Sequence, residues 1–345
     1  MSYSQATNVE DQSIVLEEHF LPPWIPEPRN EPGILRSLHD VEDVRLAEMD
    51  ACNIERMVLS IRAPGAQGIR DPAEAARAAR EVNDHVADVI SRHPARFAGF
   101  ASIALQDTDA GVTELLRCVR ELGFVGAMIN GYTNTPDGAA MYCDAPSVLP
   151  FWEAAEDLGV PVYLHPRRPL PSQMAAYGDY PELCDAPSTW AFNADTAVHA
   201  LRLILSGLFD RLPGTKVILG HMGETLPFAL WRFDNRMRIE CARRLAGTVT
   251  DYFMANFFIT TSGVLDDLVL DFVVKKLGVE RVLFSIDYPF EDPTGAVEWL
   301  RTTSAVDDQQ RRRITRLNAL DLLWGRAGDG RDAAPPAEQS QPTPG

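Results

Sequence analysis

Short apolar runs alternate with longer amphipathic stretches along most of the chain. The runs have the length and composition of buried parallel strands, and the stretches between them repeat apolar positions every three to four residues, as helices packed on a core do. The runs predict eight strands: Ser13–Glu17, Ile54–Ile61, Arg96–Ile103, Phe124–Asn130, Val162–His165, Val217–His221, Phe257–Ser262 and Val282–Asp287. The stretches predict helices, among them Asp71–Ser91, Asp107–Leu122, Val148–Leu158, Asp195–Phe209 and Leu265–Leu277.

Eight strands that alternate with helices predict an α/β fold of the (β/α)8 TIM-barrel type. A doubly wound open sheet is the main alternative, but no GxGxxG motif follows the first strand. No repeat or interior linker divides the chain, so residues 13–327 are predicted to form a single catalytic domain. Residues 1–12 lack apolar periodicity and residues 328–345 are rich in Gly, Pro and polar residues, a composition that predicts disorder at both ends.

The charge balance narrows the choice of partners. The chain has 32 Lys and Arg against 49 Asp and Glu, a formal net charge of −17. Such a surface repels phosphate backbones and anionic lipid, so neither nucleic acid nor a membrane is expected as a partner. The polar N-terminus does not resemble a secretory signal, and the five cysteines form no CxxC pair, which together predict a reduced, cytoplasmic protein.

Polar residues stand where several predicted strands end, which is where (β/α)8 barrels carry their chemistry. Glu17 and His19 end the first strand and, two residues apart, can face one ion together. His165 ends the fifth strand and Asp287 the eighth. Two carboxylates and two imidazoles suit a divalent cation such as Zn²⁺ or Mn²⁺. We therefore predict that these four residues are metal ligands.

His221, at the end of the sixth strand, is predicted to lie beside the metal and to hold a water or a substrate oxygen. Glu224 follows three residues later, in a helix predicted to start there, and is expected to orient His221. The other four histidines are interpreted as structural: His39, His85, His93 and His199.

Seven motifs, in order, resemble one protein family: VLEEHF, LSIRAPGAQG, RFAGFASIALQD, RCVRELGFVGAMINGYTN, FWEAAEDLGVPVYLHPR, GHMGETLPFALWRFDNR and SIDYPFED. Together they resemble the metal-dependent hydroxybenzoate decarboxylase branch of the amidohydrolase-2 family, and within it the γ-resorcylate, 2,3-dihydroxybenzoate and salicylate decarboxylases. The resemblance runs from about Ile14 to Leu323. The HxH opening typical of amidohydrolases is replaced by Glu17-Glu18-His19, which lowers the charge of the metal site by about one unit.

The resemblance implies the same four ligands, and it makes His221 and Glu224 the GHxGE pair of the active site. It also implies that Arg232 and Phe290 line the substrate pocket. Trp24, in the long loop after the first strand, is a further candidate to cover that pocket. One divalent ion per chain is expected, Zn²⁺ or Mn²⁺ with Mg²⁺ as an alternative, and no organic cofactor. A homotetramer or homodimer is the expected assembly.

The implied reaction is non-oxidative decarboxylation of an ortho-hydroxybenzoate, in which protonation of the ring carbon releases CO₂. Asp287 is the predicted acid, and its pKa would then need to be raised by a dry pocket. The alternative is a metal-dependent hydrolase, an amidohydrolase or lactonase that uses a metal-bound water. The lack of HxH and of a bridging lysine argues against that alternative. A barrel that only binds a small molecule is the third interpretation.

Overall fold

The computed structural model describes residues 12–25, 32–184 and 189–325. The two ends for which the sequence predicts disorder lie outside these ranges, apart from Gln12. No helix in the part of the chain so described is long and apolar enough to cross a membrane.

Eight parallel strands form a barrel. They are β1 (Ser13–Phe20), β2 (Ile54–Ile61), β3 (Phe97–Ser102), β4 (Gly126–Asn130), β5 (Val162–His165), β6 (Val217–Leu219), β7 (Phe257–Thr260) and β8 (Val282–Leu283). Each strand pairs with the next in chain order. A bridge between Glu18 and Tyr288 joins the chain after β8 to β1, and the His19 N–H donates to the Tyr288 carbonyl at 2.7 Å. The predicted (β/α)8 barrel is confirmed.

Helices cover the outside of the barrel. Their bounds are Pro32–His39, Asp43–Ala51, Pro72–Arg92, Thr108–Arg120, Leu149–Leu158, Pro171–Met174, Trp190–Leu205, Leu208–Arg211, Leu226–Ala242, Val249–Asn256, Asp267–Leu277, Pro293–Thr302, Asp308–Arg312 and Asn318–Leu323. The helix predicted over Asp195–Phe209 begins earlier, at Trp190, and ends at Leu205. It ends there because Gly207 takes a left-handed conformation, with φ of 75°, which a right-handed helix cannot continue through.

The barrel interior is closed by apolar side chains at one end and is polar at the other. Large side chains from the strands fill its lower part, together with the last helix: Ile14, Leu16, Val58, Phe100, Tyr163, Ile218, Leu283, Leu322 and Leu323. A second, larger cluster packs between the strands and the surrounding helices. The polar strand ends therefore stand on a packed apolar base.

A β-bulge in β1 changes which side chains face the barrel interior. The register between β1 and β2 shifts between Val15 and Glu18, and the backbone N–H groups of Leu16 and Glu17 both donate to Ser285 Oγ, each at 2.9 Å. A bulge of one residue reverses the alternation of a strand. Leu16 belongs to the interior cluster, yet Glu17 also points inward, and Glu18 points outward.

Candidate active site

Glu17, His19 and His165 meet at the open end of the barrel. One ligand atom from each lies within 4.8 Å of the others, and all three residues are buried. Glu17 Oε1 and His19 Nε2 are buried and make no hydrogen bond, although His165 Nε2 lies 3.2 Å from Glu17 Oε1. Polar atoms are rarely left unbonded in a protein interior, so these two atoms are suited to a cation.

Asp287 and His221 complete the cluster. Asp287 Oδ1 lies 3.4 Å from His19 Nε2, and Asp287 Oδ2 lies 3.7 Å from His221 Nε2. His221 Nε2 also lies 3.9 Å from Glu17 Oε1. The structure thus brings together all the residues that the sequence places at the strand ends. Their nitrogen and oxygen atoms are donors that a divalent metal accepts.

A hydrogen-bond chain fixes the tautomer of His165. Asn130 Nδ2 donates to the Ile61 carbonyl at 3.3 Å, so its other side-chain atom, Oδ1, must be an acceptor. Oδ1 lies 2.8 Å from His165 Nδ1. Nδ1 therefore carries the hydrogen, and Nε2 presents its lone pair to the cluster, as a metal ligand requires.

His19 and His221 are also held through their Nδ1 atoms. His19 Nδ1 lies 3.3 Å from Ser60 Oγ, and His221 Nδ1 lies 2.8 Å from Glu224 Oε1. Each ring thus turns its Nε2 toward the common centre. The sequence predicts the role of Glu224 in orienting His221, and the observed hydrogen bond supports it.

Hydroxyl groups surround the second oxygen of Glu17. Tyr163, Thr260 and Ser262 all donate to Glu17 Oε2, the Thr260 hydroxyl at 3.3 Å. Burial raises the pKa of Glu17, but the facing imidazoles, His221 most strongly, outweigh it and hold the pKa below its ordinary value. Gly220 leaves room for this carboxylate, since a Cβ there would come within 2.7 Å of Oε2.

The segment that carries His221 and Glu224 is a left-handed turn. The φ angles of residues 221–225 are all positive, from 49° at His221 to 81° at Gly223. The predicted right-handed helix does not start here, and the prediction is wrong in this detail, because the helix begins only at Leu226. For L-residues this conformation costs about 1–2 kcal/mol each, and such strain is found mainly at functional sites.

Opposing effects act on two acidic groups of the site. Burial raises the pKa of Asp287, but contacts with His19 and His221 outweigh it, so that the pKa lies below its ordinary value. Burial raises the pKa of Glu224 above its ordinary value, although His221 acts against it. Burial alone therefore does not give Asp287 the raised pKa that an acid near neutral pH needs, because two imidazoles face its carboxylate.

The three predicted substrate-binding residues differ in what they contact. The Phe290 ring centroid is 5.9 Å from that of His19, and Phe290 is 40% exposed, which suits a pocket wall. Trp24 packs edge-on against His85, with ring centroids 5.2 Å apart. Arg232 is exposed on the helix Leu226–Ala242, and no hydrogen bond or ion pair links it to the cluster within the described residues. The roles of Trp24 and Arg232 stay predictions.

Several residues that support the cluster were not predicted. They are Ser60, Asn130, Tyr163, Thr260, Ser262 and Ser285. The sequence could have indicated Tyr163, because it lies two residues before His165 on the same strand and therefore shares its face.

Comparisons with known proteins agree with this geometry. A family model described as amidohydrolase matches residues 20–324. A γ-resorcylate decarboxylase of Rhodococcus jostii (strain RHA1) is 45% identical over 90% of this chain and 98% of its own. A solved 2,6-dihydroxybenzoate decarboxylase in complex with 2,6-dihydroxybenzoate is 42% identical, with a TM-score of 0.85, over 90% of this chain and 99% of its own. A dihydroxybenzoic acid decarboxylase from Polaromonas sp. JS666, with bound manganese and the inhibitor 2-nitroresorcinol, is 41% identical, with a TM-score of 0.86, over 90% and 96%.

Proposed function

The chain belongs to the amidohydrolase family, and from that premise we propose that it is a metal-dependent decarboxylase that removes CO₂ from an ortho-hydroxylated benzoate. The observation that carries this proposal is the buried cluster of Glu17, His19, His165, His221 and Asp287 at the open end of the barrel. The relatives named above are decarboxylases of dihydroxybenzoates, and this chain aligns with almost the whole length of each of them.

We propose one divalent ion per chain, held by Glu17, His19, His165 and Asp287. The unbonded Glu17 Oε1 and His19 Nε2 support this assignment. Manganese is the first candidate because a solved relative binds it, and this nitrogen and oxygen donor set also accepts Zn²⁺ and Mg²⁺. When bound, such an ion supplies positive charge that neutralises and orients the carboxylate and the neighbouring phenolate of the substrate.

Decarboxylation at this site requires protonation of the ring before the carbon–carbon bond breaks. Direct loss of CO₂ would leave an aryl carbanion, which is too unstable to form readily. A proton added to the ring carbon that bears the carboxylate gives a dearomatised intermediate. The electron pair of the breaking carbon–carbon bond then restores the aromatic ring as CO₂ leaves.

We propose that Asp287 supplies this proton. His19 and His221 face its carboxylate and lower its pKa, so Asp287 rests ionised and must receive a proton before it can donate one. His221, whose Nε2 lies 3.7 Å from Asp287 Oδ2, is placed to pass a proton to it. Glu224 holds the His221 ring in position for that transfer.

Phe290 is proposed to pack against the substrate ring, as its position beside His19 supports. Arg232 remains our candidate to balance the substrate's negative charge, and Trp24 to cover the pocket. Removal of either side chain should raise KM more than it lowers kcat if it binds substrate.

The test is a decarboxylation screen with the Mn²⁺-loaded protein. 2,6-Dihydroxybenzoate should give CO₂ and resorcinol, and a chelator or Asp287→Asn should abolish turnover. Salicylate and 2,3-dihydroxybenzoate define the tolerated ring pattern, and a lactone tests the hydrolase alternative. If the loaded protein leaves all hydroxybenzoates intact while it hydrolyses the lactone, the proposed function is wrong.

We further propose a cytoplasmic enzyme that assembles as a homotetramer or homodimer. All five cysteines are buried and none forms a disulfide, which suits a reducing compartment. Exposed apolar side chains such as Phe228 and Trp231, on one helix, are compatible with a subunit interface.

A further inference from the structure

The carboxyl group of Glu18 is buried directly behind the metal-site cluster. Its chain neighbours, Glu17 and His19, face the cluster, whereas the bulge in β1 turns Glu18 to the outer side of the barrel. Glu18 is fully buried. A buried carboxyl group is costly unless it is hydrogen-bonded, so the partners of Glu18 indicate its role.

Those partners lie on both sides of Asp287. Glu18 Oε1 accepts from the Ile286 N–H at 3.0 Å, and Oε2 accepts from the Tyr288 N–H at 3.2 Å. Asp287, between them, has a φ of 78°. A residue other than glycine keeps such a backbone conformation only where its surroundings enforce it. Glu18 therefore brackets Asp287 across the junction between β8 and β1.

Arg45 ties the same junction from the outside. Its guanidinium group is fully buried, donates to the His19 carbonyl at 2.5 Å, and lies 4.5 Å from the centre of the Tyr288 ring. Burial raises the pKa of Glu18 well above its ordinary value, while the two amides and Arg45 act against it. Both backbone hydrogen bonds can form in either protonation state, because each carboxyl oxygen keeps a lone pair.

We propose that Glu18, supported by Arg45, is a positioning residue that holds Asp287 in its left-handed conformation and thereby sets one ligand position of the metal site. This inference rests on the proposed function in one respect only, namely that Asp287 is a ligand. The two hydrogen bonds of Glu18 go to the backbone on either side of Asp287, and among the described residues no hydrogen bond joins its side chain to a side chain of the cluster.

Glu18→Gln tests the proposal with little change in volume. It places an NH₂ group against one of the two backbone N–H groups, so that one hydrogen bond is lost and two donors face each other. Changes to groups that support a metal ligand cost about 10- to 100-fold in metal affinity, and we expect a loss in that range for Mn²⁺.

The experiment is a double-mutant cycle read by calorimetric titration of the full chain with Mn²⁺ alone. The cycle uses the wild type, Glu18→Gln, Asp287→Asn and the double variant. Because Glu18 acts through Asp287, Glu18→Gln should change Mn²⁺ affinity by less than about twofold in the Asp287→Asn background. The proposal would be overturned if Glu18→Gln weakened Mn²⁺ binding equally in both backgrounds, or if it did not weaken Mn²⁺ binding in the wild-type background.

Glu114→Gln is the matched control. Glu114 is another buried carboxylate, bonded to Asn83 and Arg117 on outer helices, away from the cluster. This variant should lower Tm and leave Mn²⁺ affinity unchanged. If Glu18→Gln does not fold, Glu18→Asp, which is one methylene shorter, replaces it with the same expected outcomes. Failure of both variants to fold would assign Glu18 to folding and overturn the proposal.

No substrate is present in this titration. A chain that shows the expected cycle but releases no CO₂ would contradict the proposed function and leave the role of Glu18 intact. A chain that decarboxylates but shows additive losses in the cycle would contradict the role of Glu18 alone.

Discussion

At the scale of single residues, the hydrogen-bond partner of each imidazole Nδ1 atom orients the rings of the site. Asn130, Ser60 and Glu224 each engage an Nδ1 atom, so that every Nε2 points to the same centre. Glu224 differs from the other two because its carboxyl group favours the charged form of His221. Burial lowers the pKa of His221, but Glu224 and Glu17 outweigh it and raise the pKa well above its ordinary value. This difference supports the proposed role of His221 as a proton carrier and of His19 and His165 as metal ligands.

His221→Ala should therefore reduce turnover more than metal content. We expect kcat to fall by about 100-fold or more, the usual contribution of a group that transfers protons. Mn²⁺ measured by elemental analysis should stay close to one ion per chain. Loss of the ion at unchanged kcat per bound ion would instead make His221 a ligand.

At the scale of secondary-structure elements, the strands follow from sequence periodicity but two local conformations do not. Counting every second residue from the buried Leu16 would turn Glu18 inward. The register shift against β2 and the shared acceptor of the Leu16 and Glu17 N–H groups, Ser285 Oγ, reveal the bulge that turns Glu17 inward instead. The left-handed turn is equally hidden, because Gly223 is the one glycine among its five residues. Tertiary contacts impose both features, and local preferences of the sequence do not.

The left-handed turn makes opposite predictions for two of its residues. A Cβ on Gly223 would come within 2.9 Å of Ile259 Cγ2, and φ there is 81°. Gly223→Ala should lower the free energy of unfolding by about 1–3 kcal/mol and should impair turnover. Thr225 is exposed with a φ of 65°, so Thr225→Gly should be neutral or stabilising, by up to about 1 kcal/mol.

Denaturant unfolding of both variants checks this prediction. Thr225→Ala serves as the control, since it shortens the side chain but keeps the Cβ. A Gly223→Ala protein as stable as the wild type would show that the turn is not strained.

At the scale of the whole molecule, much of the fold and of the site could be predicted, because the C-terminal ends of all the parallel strands lie at the same end of the barrel. The alternation of short apolar runs with amphipathic stretches predicted the eight strands. Because the barrel closes between β8 and β1, His19 and Asp287 come within 3.4 Å of each other although they are far apart in sequence. What could not be predicted depends on loops that return to the site. The path of the loop after β1 is not set by any periodicity, so the packing of Trp24 on His85 could not be foreseen.

Removal of the metal should destabilise the whole barrel, because the proposed ligands come from three separate strands or their ends. When the concentration of free ion is about 100 times the Kd, binding adds about 2.7 kcal/mol to the free energy of unfolding. Treatment with a chelator should therefore lower Tm, and addition of Mn²⁺ should restore it. An unchanged Tm, in a sample shown to have bound and then lost the ion, would contradict a shared site.

Acid stability should depend on His199, which lies outside the site. Burial, with Arg202 nearby, lowers its pKa to about 3, and its Nε2 accepts from the Cys143 N–H at 2.8 Å. The unfolded chain binds a proton near its ordinary pKa of 6.5 while the folded chain does not. Stability is therefore fully present above pH 6.5 and falls as the pH drops toward 3, by up to about 1.4 kcal/mol per pH unit.

His199→Gln keeps an acceptor for the Cys143 N–H but removes the titrating group. Its free energy of unfolding, measured from pH 7 to pH 5, should fall less steeply than that of the wild type, whatever its value at pH 7. Parallel curves for the two proteins would show that His199 does not contribute to acid sensitivity.

The ring of hydroxyls around Glu17 links the ExH opening of the first strand to residues on other strands. Tyr163, Thr260 and Ser262 all direct hydrogens at one carboxylate oxygen. A histidine in its place would offer at most one lone pair, so the hydroxyls would have to turn toward one another, along the 2.9 Å contacts that Thr260 makes with Tyr163 and Ser262. Exchanging one opening motif for the other would therefore rearrange hydrogen bonds on strands far from residue 17 in sequence.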